Sequence, residues 1–118
     1  MGEQVSWHVE LTVKPGALED FRVLTGEMVQ ATRAEPGVLS YERFISADGM
    51  IVHVYERYAD SAAAVAHLHA FGRKFGGRFV GLVDRKRFTV YGIPSAELRG
   101  MLDEFGATYL EPFGGFSR

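Results

Sequence analysis

Two runs rich in β-branched and aromatic residues, 38–46 and 50–58, restrict the fold more than any other part of the chain. They are joined through Asp48-Gly49, a dipeptide that favours a tight hairpin turn. Both runs carry apolar residues on both faces; in the second these are Val52 and Val54 on one face, and Ile51 and Tyr55 on the other. Helices can cover only one face of such a hairpin, so a second sheet is expected on the other. We therefore expect a homodimer.

The remaining elements follow from the spacing of apolar residues. Residues 5–13 alternate apolar with polar side chains, as a half-buried strand does. Helical spacing predicts one helix between 18 and 31 and a second from Asp60 or Ser61, with a kink or break near Gly76. A strand at 85–91, a helix opened by Pro94-Ser95 and a short strand at 107–113 complete the predicted elements.

The first six elements run strand, helix, strand, strand, helix, strand. This order is the split β-α-β pattern of ferredoxin-like domains, which predicts an α+β fold with an antiparallel sheet. At 118 residues the chain is predicted to form a single domain, with a core at about 5–92 and a helix–strand appendage at 94–113.

Composition excludes several classes of function. The net charge is −2 and the longest basic run, 85–87, is too short for a nucleic-acid interface. The absence of cysteine removes disulfides and thiolate metal sites, and fits a reducing compartment. No signal peptide and no apolar run of about 20 residues are visible, so we predict a cytoplasmic protein without a membrane segment. His67 and His69 point to nearly opposite sides of a helix, which argues against a shared metal ion.

Three stretches of the chain resemble the antibiotic biosynthesis monooxygenase (ABM) domain family. They are Pro15-Gly16, the segment EPGVLSYE at 35–42, and YERY at 55–58 leading to Ala66-His67-Leu68. The resemblance covers roughly residues 5–92. It implies a dimeric α+β barrel, and one of several activities: cofactor-independent oxygenation of phenols or quinols, haem degradation, or none. The haem degraders use an asparagine and a helix tryptophan, whereas this chain has no asparagine and places His67 where the tryptophan would fall.

The expected function is therefore a monooxygenase that needs no cofactor and acts on a small aromatic, phenolic or quinol substrate. In that chemistry a base deprotonates the substrate, whose anion then reduces O₂ directly. Two alternatives remain open at the level of sequence: a non-enzymatic module that binds a small aromatic ligand, and an isomerase or cyclase that uses the same base without oxygen.

The candidate catalytic residues come from the hairpin and the second helix. If Asp48-Gly49 forms a two-residue turn, Glu42 and His53 share one face with Tyr55, and the carboxylate could orient His53 as a base. That cluster is equally compatible with packing at the dimer interface. The helix residue His67 is interpreted as more often structural than catalytic, and His8 is a third possible base. The predicted catalytic set is His53, His67, Tyr55 and Glu42, and the predicted substrate-binding set is Trp7, Tyr41, Arg43, Tyr58, Phe71 and Phe75.

Overall fold

The computed structural model describes residues 3–118 and confirms the α+β, ferredoxin-like fold. Five strands form one sheet in the order β2-β3-β1-β4-β5. The strands are β1 (Val5–Val13), β2 (Val38–Ile45), β3 (Ile51–Tyr58), β4 (Val83–Tyr91) and β5 (Thr108–Leu110). The helices are α1 (Leu18–Arg33), α2 (Ser61–Lys74), α3 (Gly76–Leu82) and α4 (Ala96–Asp103). Every pairing among β1 to β4 is antiparallel.

The alternation along β1 separates the two faces of the sheet. Every second residue from Val5 to Val13 is buried, and the residues between them are only partly covered. The buried side chains pack beneath the helices with the inward-facing residues of β3 and β4. The helices therefore cover one face, here called the helix face. The opposite side, called the open face, carries the polar residues of β1.

The β2–β3 hairpin has the predicted register, with Phe44 opposite His53. Gly49 adopts a left-handed backbone conformation with φ of 75°, which glycine allows without steric cost. Asp48 stabilises the turn by accepting hydrogen bonds from the Ser46 hydroxyl at 2.7 Å and the Met50 N–H at 3.0 Å. Local turn chemistry thus sets which residues of β2 and β3 share a face.

The predicted break near Gly76 is present between α2 and α3. Asp60 caps the start of α2, because its carboxylate accepts the Ala63 N–H at 2.8 Å. The helix ends before Phe75, and Gly76 begins the short α3 in a new direction. The break allows the aromatic residues of both helices to approach one another, with the Phe71 and Phe79 rings 5.2 Å apart.

The appendage adds α4 and a strand shorter than predicted. Strand β5 pairs parallel to β4 over only three residues, so the prediction of a strand to 113 is wrong beyond Leu110. Its partner β4 ends at Tyr91, and Pro112 has no N–H with which to continue a ladder. Leu98 and Leu102 of α4 are fully buried, so the appendage is part of the core rather than a loose tail. None of the helices within residues 3–118 has the length and apolar character needed to cross a bilayer.

Candidate functional site

A cavity lies between the sheet and the helices on the helix face. Its volume open to the centre of a water molecule is about 70 Å³, and most of its lining is apolar. Four polar or charged residues interrupt that lining, namely Arg43, Glu56, His67 and Arg85. The apolar and aromatic lining residues are Trp7, Val9, Leu11, Val54, Leu68, Phe71, Phe79, Phe88 and Phe105. An apolar cavity with a few convergent polar groups is the usual form of a small-molecule site.

Glu56 is the polar centre of the cavity. It follows Val52 and Val54 in the inward-facing phase of β3, and only 6% of its surface is exposed. Its Oε1 accepts hydrogen bonds from the Trp7 indole N–H at 3.0 Å and from the Tyr58 hydroxyl. Its Oε2 accepts from Arg43 Nη2 at 2.8 Å. All these partners are donors, which is the arrangement that a buried ionised carboxylate needs.

Arg43 forms an ion pair with Glu56 and has further N–H groups that are not hydrogen-bonded within the described part of the chain. Its guanidinium lies 3.5 Å from the centre of the Tyr41 ring, a cation–π geometry that fixes its plane. Its Nε and Nη1 are buried and make no hydrogen bond within residues 3–118. Burial, ahead of the negative charge of Glu56, raises the pKa of Tyr41 to about 12. Tyr41 is therefore a neutral phenol at any working pH.

His67 is buried between two carboxylates. Its Nδ1 lies 3.1 Å from Glu35 Oε1, and its Nε2 lies 3.8 Å from Glu56 Oε1. The first distance is that of a hydrogen bond and the second is too long for one. Because a carboxylate accepts and does not donate, the contact at Nδ1 is a hydrogen bond donated to Glu35, and Nε2 faces the cavity without a hydrogen bond within residues 3–118. A carboxylate that holds an imidazole in this way orients it as a base.

The sheet divides the predicted catalytic residues into two groups. Glu42, His53 and Tyr55 lie on the open face, whereas His67 lies in the cavity on the helix face. Glu42 lies opposite Tyr55 and on the same face as His53, as predicted, but it forms no ion pair with His53 within residues 3–118. The carboxylate near His53 is Glu10, at 3.9 Å on the neighbouring strand, because β1 lies directly beside β3 and brings Glu10 opposite His53.

A histidine pair occupies the middle of the open face. The rings of His8 and His53 meet edge to face with centroids 4.6 Å apart. Burial, followed by the charge of His53, lowers the pKa of His8. Both effects disfavour the imidazolium form at neutral pH. This pair is separated from the cavity by the thickness of the sheet.

The predicted substrate-binding residues lie in or around the cavity. Trp7, Arg43 and Phe71 line it directly. Tyr58 is fully buried behind Glu56, and burial raises its pKa well above the usual value, so that it acts as a fixed donor. Tyr41 lies under Arg43, with its ring 5.3 Å from that of His67. Phe75 does not line this cavity; together with Glu35 it lines a smaller one that also contacts His67.

Several residues of the site were absent from the sequence prediction, and one of them, Glu56, had a visible signal. Glu56 occupies an inward position among Val52, Val54 and Tyr58, where the pattern predicts an apolar side chain. A carboxylate at an inward-facing position of a strand indicates that this side chain is buried and has polar partners. Glu35, Arg85 and Phe105 reach the site through packing between distant segments of the chain. No local sequence pattern predicts their place in it.

No group of three or more histidine, aspartate or glutamate side chains within residues 3–118 has a geometry that would hold a metal ion.

Comparisons with known proteins agree with this fold. The structure of MupZ from Pseudomonas fluorescens superposes with a TM-score of 0.87 at 24% identity, covering 98% of this chain and 95% of MupZ. A protein from Shewanella oneidensis gives a TM-score of 0.62 at 26% identity, covering 76% and 88%. SnoaB, described as a cofactor-independent oxygenase from Streptomyces nogalater, gives 0.67 at 14% identity, covering 80% and 96%. Coverage of nearly the whole chain by MupZ means that the shared fold includes the appendage.

Comparison with curated protein sequences finds no significant match. A family profile does match: residues 5–71, more than half of the chain, fit that of the antibiotic biosynthesis monooxygenases. The matched range contains Trp7, Arg43, Glu56 and His67. This chain therefore belongs to the antibiotic biosynthesis monooxygenase family.

Proposed function

We propose that this protein is an enzyme that uses His67 as a general base on a small phenolic or quinol substrate bound in the cavity. The observation that carries the proposal is the Glu35–His67 pair, with an Nδ1–Oε1 distance of 3.1 Å, at the wall of an apolar cavity. His67 Nε2 takes the substrate proton, and Glu35 stabilises the imidazolium that forms. Since the apolar lining excludes water, a neutral phenol is a better fit to the interior than a strongly hydrated ligand.

Arg43 supplies the second requirement, which is stabilisation of the anion that deprotonation creates. Its unpartnered Nε and Nη1 are donors held rigid by Glu56 and Tyr41. Donors that are already oriented stabilise developing charge more effectively than water, because they need no reorganisation. A phenolate oxygen near Arg43 would therefore lower the free energy of the reacting anion.

Oxygenation follows from the electron-rich anion without a flavin or metal. The phenolate reduces O₂, and one oxygen atom enters the ring as a quinone carbonyl while the other leaves as water. For a simple phenol the balance is C₆H₆O + O₂ → C₆H₄O₂ + H₂O, and the substrate supplies all the electrons. Membership of a family that contains cofactor-independent oxygenases such as SnoaB supports this reading of the site.

A second candidate, an isomerase or cyclase, is favoured by the closeness of Glu56 to His67. With 3.8 Å between Oε1 and Nε2, two groups able to carry a proton face the same cavity. In a proton shift of this kind His67 would remove a proton from one atom of the substrate and return it at another, with no oxidant consumed.

Oxygen consumption separates these candidates. The purified protein is incubated with a panel of phenols and hydroquinones while O₂ uptake and product formation are followed, in air and under argon. If the protein is a monooxygenase, one O₂ should be consumed for each product molecule, and no turnover should occur under argon. Equal turnover under argon identifies the isomerase or cyclase, and binding without turnover in either gas identifies a binding module.

We also propose a homodimer formed through the open face, because large apolar side chains are exposed there. Phe44 and Ile51 are 58% and 40% exposed on strands whose other face is covered by helices. Light scattering at micromolar concentration should report about twice 13.1 kDa. Ile51→Arg should shift the protein towards monomer, because it places a charge in the interface.

The matched control for the dimer is Val23→Arg, which adds the same charge at a position 61% exposed on α1. This variant should remain dimeric. A monomeric parent protein, or equal dissociation of both variants, would contradict assembly through the open face.

A further inference from the structure

Arg85 is a cation without an anionic partner at the wall of the cavity. The other charged groups there are matched: Arg43 pairs with Glu56, and His67 contacts Glu35. The side chain of Arg85 forms no ion pair or hydrogen bond with residues 3–118, although it lines the same cavity at its exposed edge. Arg85 therefore differs from Arg43, the other arginine of the lining, whose charge is matched by Glu56.

A β-bulge brings Arg85 to this position. On β4, Phe88 and Val90 face the helices, and regular alternation would place Lys86 inward and Arg85 on the open face. Instead the register with β1 shifts: Glu10 faces Arg87 and Leu11 faces Arg85, and Lys86 is skipped. Since Leu11 is fully buried on the helix face, its cross-strand neighbour Arg85 lies on the same face, where it lines the solvent-exposed edge of the cavity. Bulges of this kind often redirect a side chain towards a functional site.

The appendage holds the Arg85 guanidinium in place. Phe105, which follows α4, stacks on Phe88 with 5.7 Å between ring centres and 8° between ring planes. Arg85 lies over Phe105, with Cζ 4.8 Å from the ring centre. Stacking contacts the face of the guanidinium and leaves its N–H groups free at the edge, where they can donate to a carboxylate in pairs. Burial lowers the pKa of Arg85, as expected for a cation that lacks a neighbouring anion.

We infer that Arg85, held by Phe105, is the subsite for a carboxylate group on the substrate. This inference rests on the proposed function for the identity of the reacting end, which lies at His67 and Arg43. The substrate is accordingly a small molecule with an apolar body and a carboxylate at a position away from the reacting group. The apolar lining contacts the body, and the unmatched charge of Arg85 selects the acid over its neutral analogues.

Ligand binding tests the subsite without requiring turnover. Trp7 is the only tryptophan of the chain and lines the cavity, so its fluorescence reports occupancy. The probes are 4-hydroxybenzoate, 4-hydroxyphenylacetate and 3-(4-hydroxyphenyl)propanoate, each compared with its carboxamide. We expect at least one acid to bind roughly 10- to 100-fold more tightly than its amide, as a charge-assisted pair should provide. Arg85→Gln should lower the affinity for that acid to the level of the amide, and Arg85→Lys should restore part of it.

Two variants keep the test specific. Lys86→Gln removes the same charge from the neighbouring residue, which does not line the cavity, and should leave the preference for the acid unchanged. His67→Gln should also keep the preference while abolishing turnover, so failure of the proposed reaction is distinguishable from failure of the subsite. The inference is overturned if no acid is preferred in the parent protein, if the probes do not bind, or if Arg85→Gln retains the preference. An equal loss in Lys86→Gln would also overturn it, since it would indicate a general effect of charge.

Discussion

His67→Gln is expected to lower turnover by roughly 10²- to 10⁴-fold, the usual contribution of a general base. Glutamine keeps a polar side chain that can still donate to Glu35, but it cannot accept a proton at the cavity wall. Binding of a substrate analogue should change little, because the apolar lining and Arg43 are unaltered. The measurement is steady-state kinetics on a substrate identified by the oxygen-uptake panel, with the dissociation constant of an analogue measured in parallel.

The matched control is His53→Gln, the same substitution on the open face. His53 contacts His8 and lies 3.9 Å from Glu10, on the side of the sheet opposite the cavity. Its loss should leave turnover within a few-fold of the parent. Should His53→Gln abolish turnover while His67→Gln remains active, the reaction takes place on the open face and the assignment of His67 as the base is wrong.

Glu56→Ala is expected to destabilise the fold by about 3–5 kcal/mol, which is the cost of removing one partner of a buried ion pair. The Glu56 and Arg43 side chains are only 8% and 11% exposed, so the remaining guanidinium cannot recover its charge interaction from solvent. The Trp7 indole N–H and the Tyr58 hydroxyl lose their acceptor in the same substitution. Urea unfolding at fixed protein concentration measures the change in the free energy of unfolding.

Two further variants identify the cause of this destabilisation. Glu56→Gln retains an acceptor oxygen for Trp7 and Tyr58 but removes the charge, and should be less destabilising than alanine. Glu111→Ala removes the same charge from an exposed site after β5, away from the open face, and should change the free energy of unfolding by less than about 0.5 kcal/mol. A Glu56→Ala protein as stable as Glu111→Ala would show that the buried network contributes nothing to the fold.

The order of elements and the hairpin register could be predicted because both depend on local chemistry. Alternation along β1, the Asp48-Gly49 turn and the glycine at 76 act over a few residues, and the structure has all three features where the pattern indicates them. The last strand was predicted too long, since its extent depends on where its partner β4 ends rather than on its own residues.

The candidate site was only partly predictable. The polar residue that organises the cavity, Glu56, can be recognised from the alternation of β3, because a carboxylate in the inward phase must find buried partners. The identity of those partners is not local. Trp7, Arg43 and Tyr58 come from three different strands, and their meeting depends on β3 lying between β1 and β2.

The fold class, the two faces of β1 and β3 and the turn that aligns β2 with β3 follow from local features of the sequence. Tertiary structure alone decided which histidine could be a base. His53 and His67 look alike in sequence, but packing of α2 on the sheet buries His67 against Glu35, which lies 32 positions earlier in the chain. The bulge that places Arg85 on the helix face and the Phe105 ring that holds it are likewise products of long-range packing. Periodicity reports which face a side chain takes, whereas its chemistry depends on neighbours that only the folded chain brings within a few ångströms.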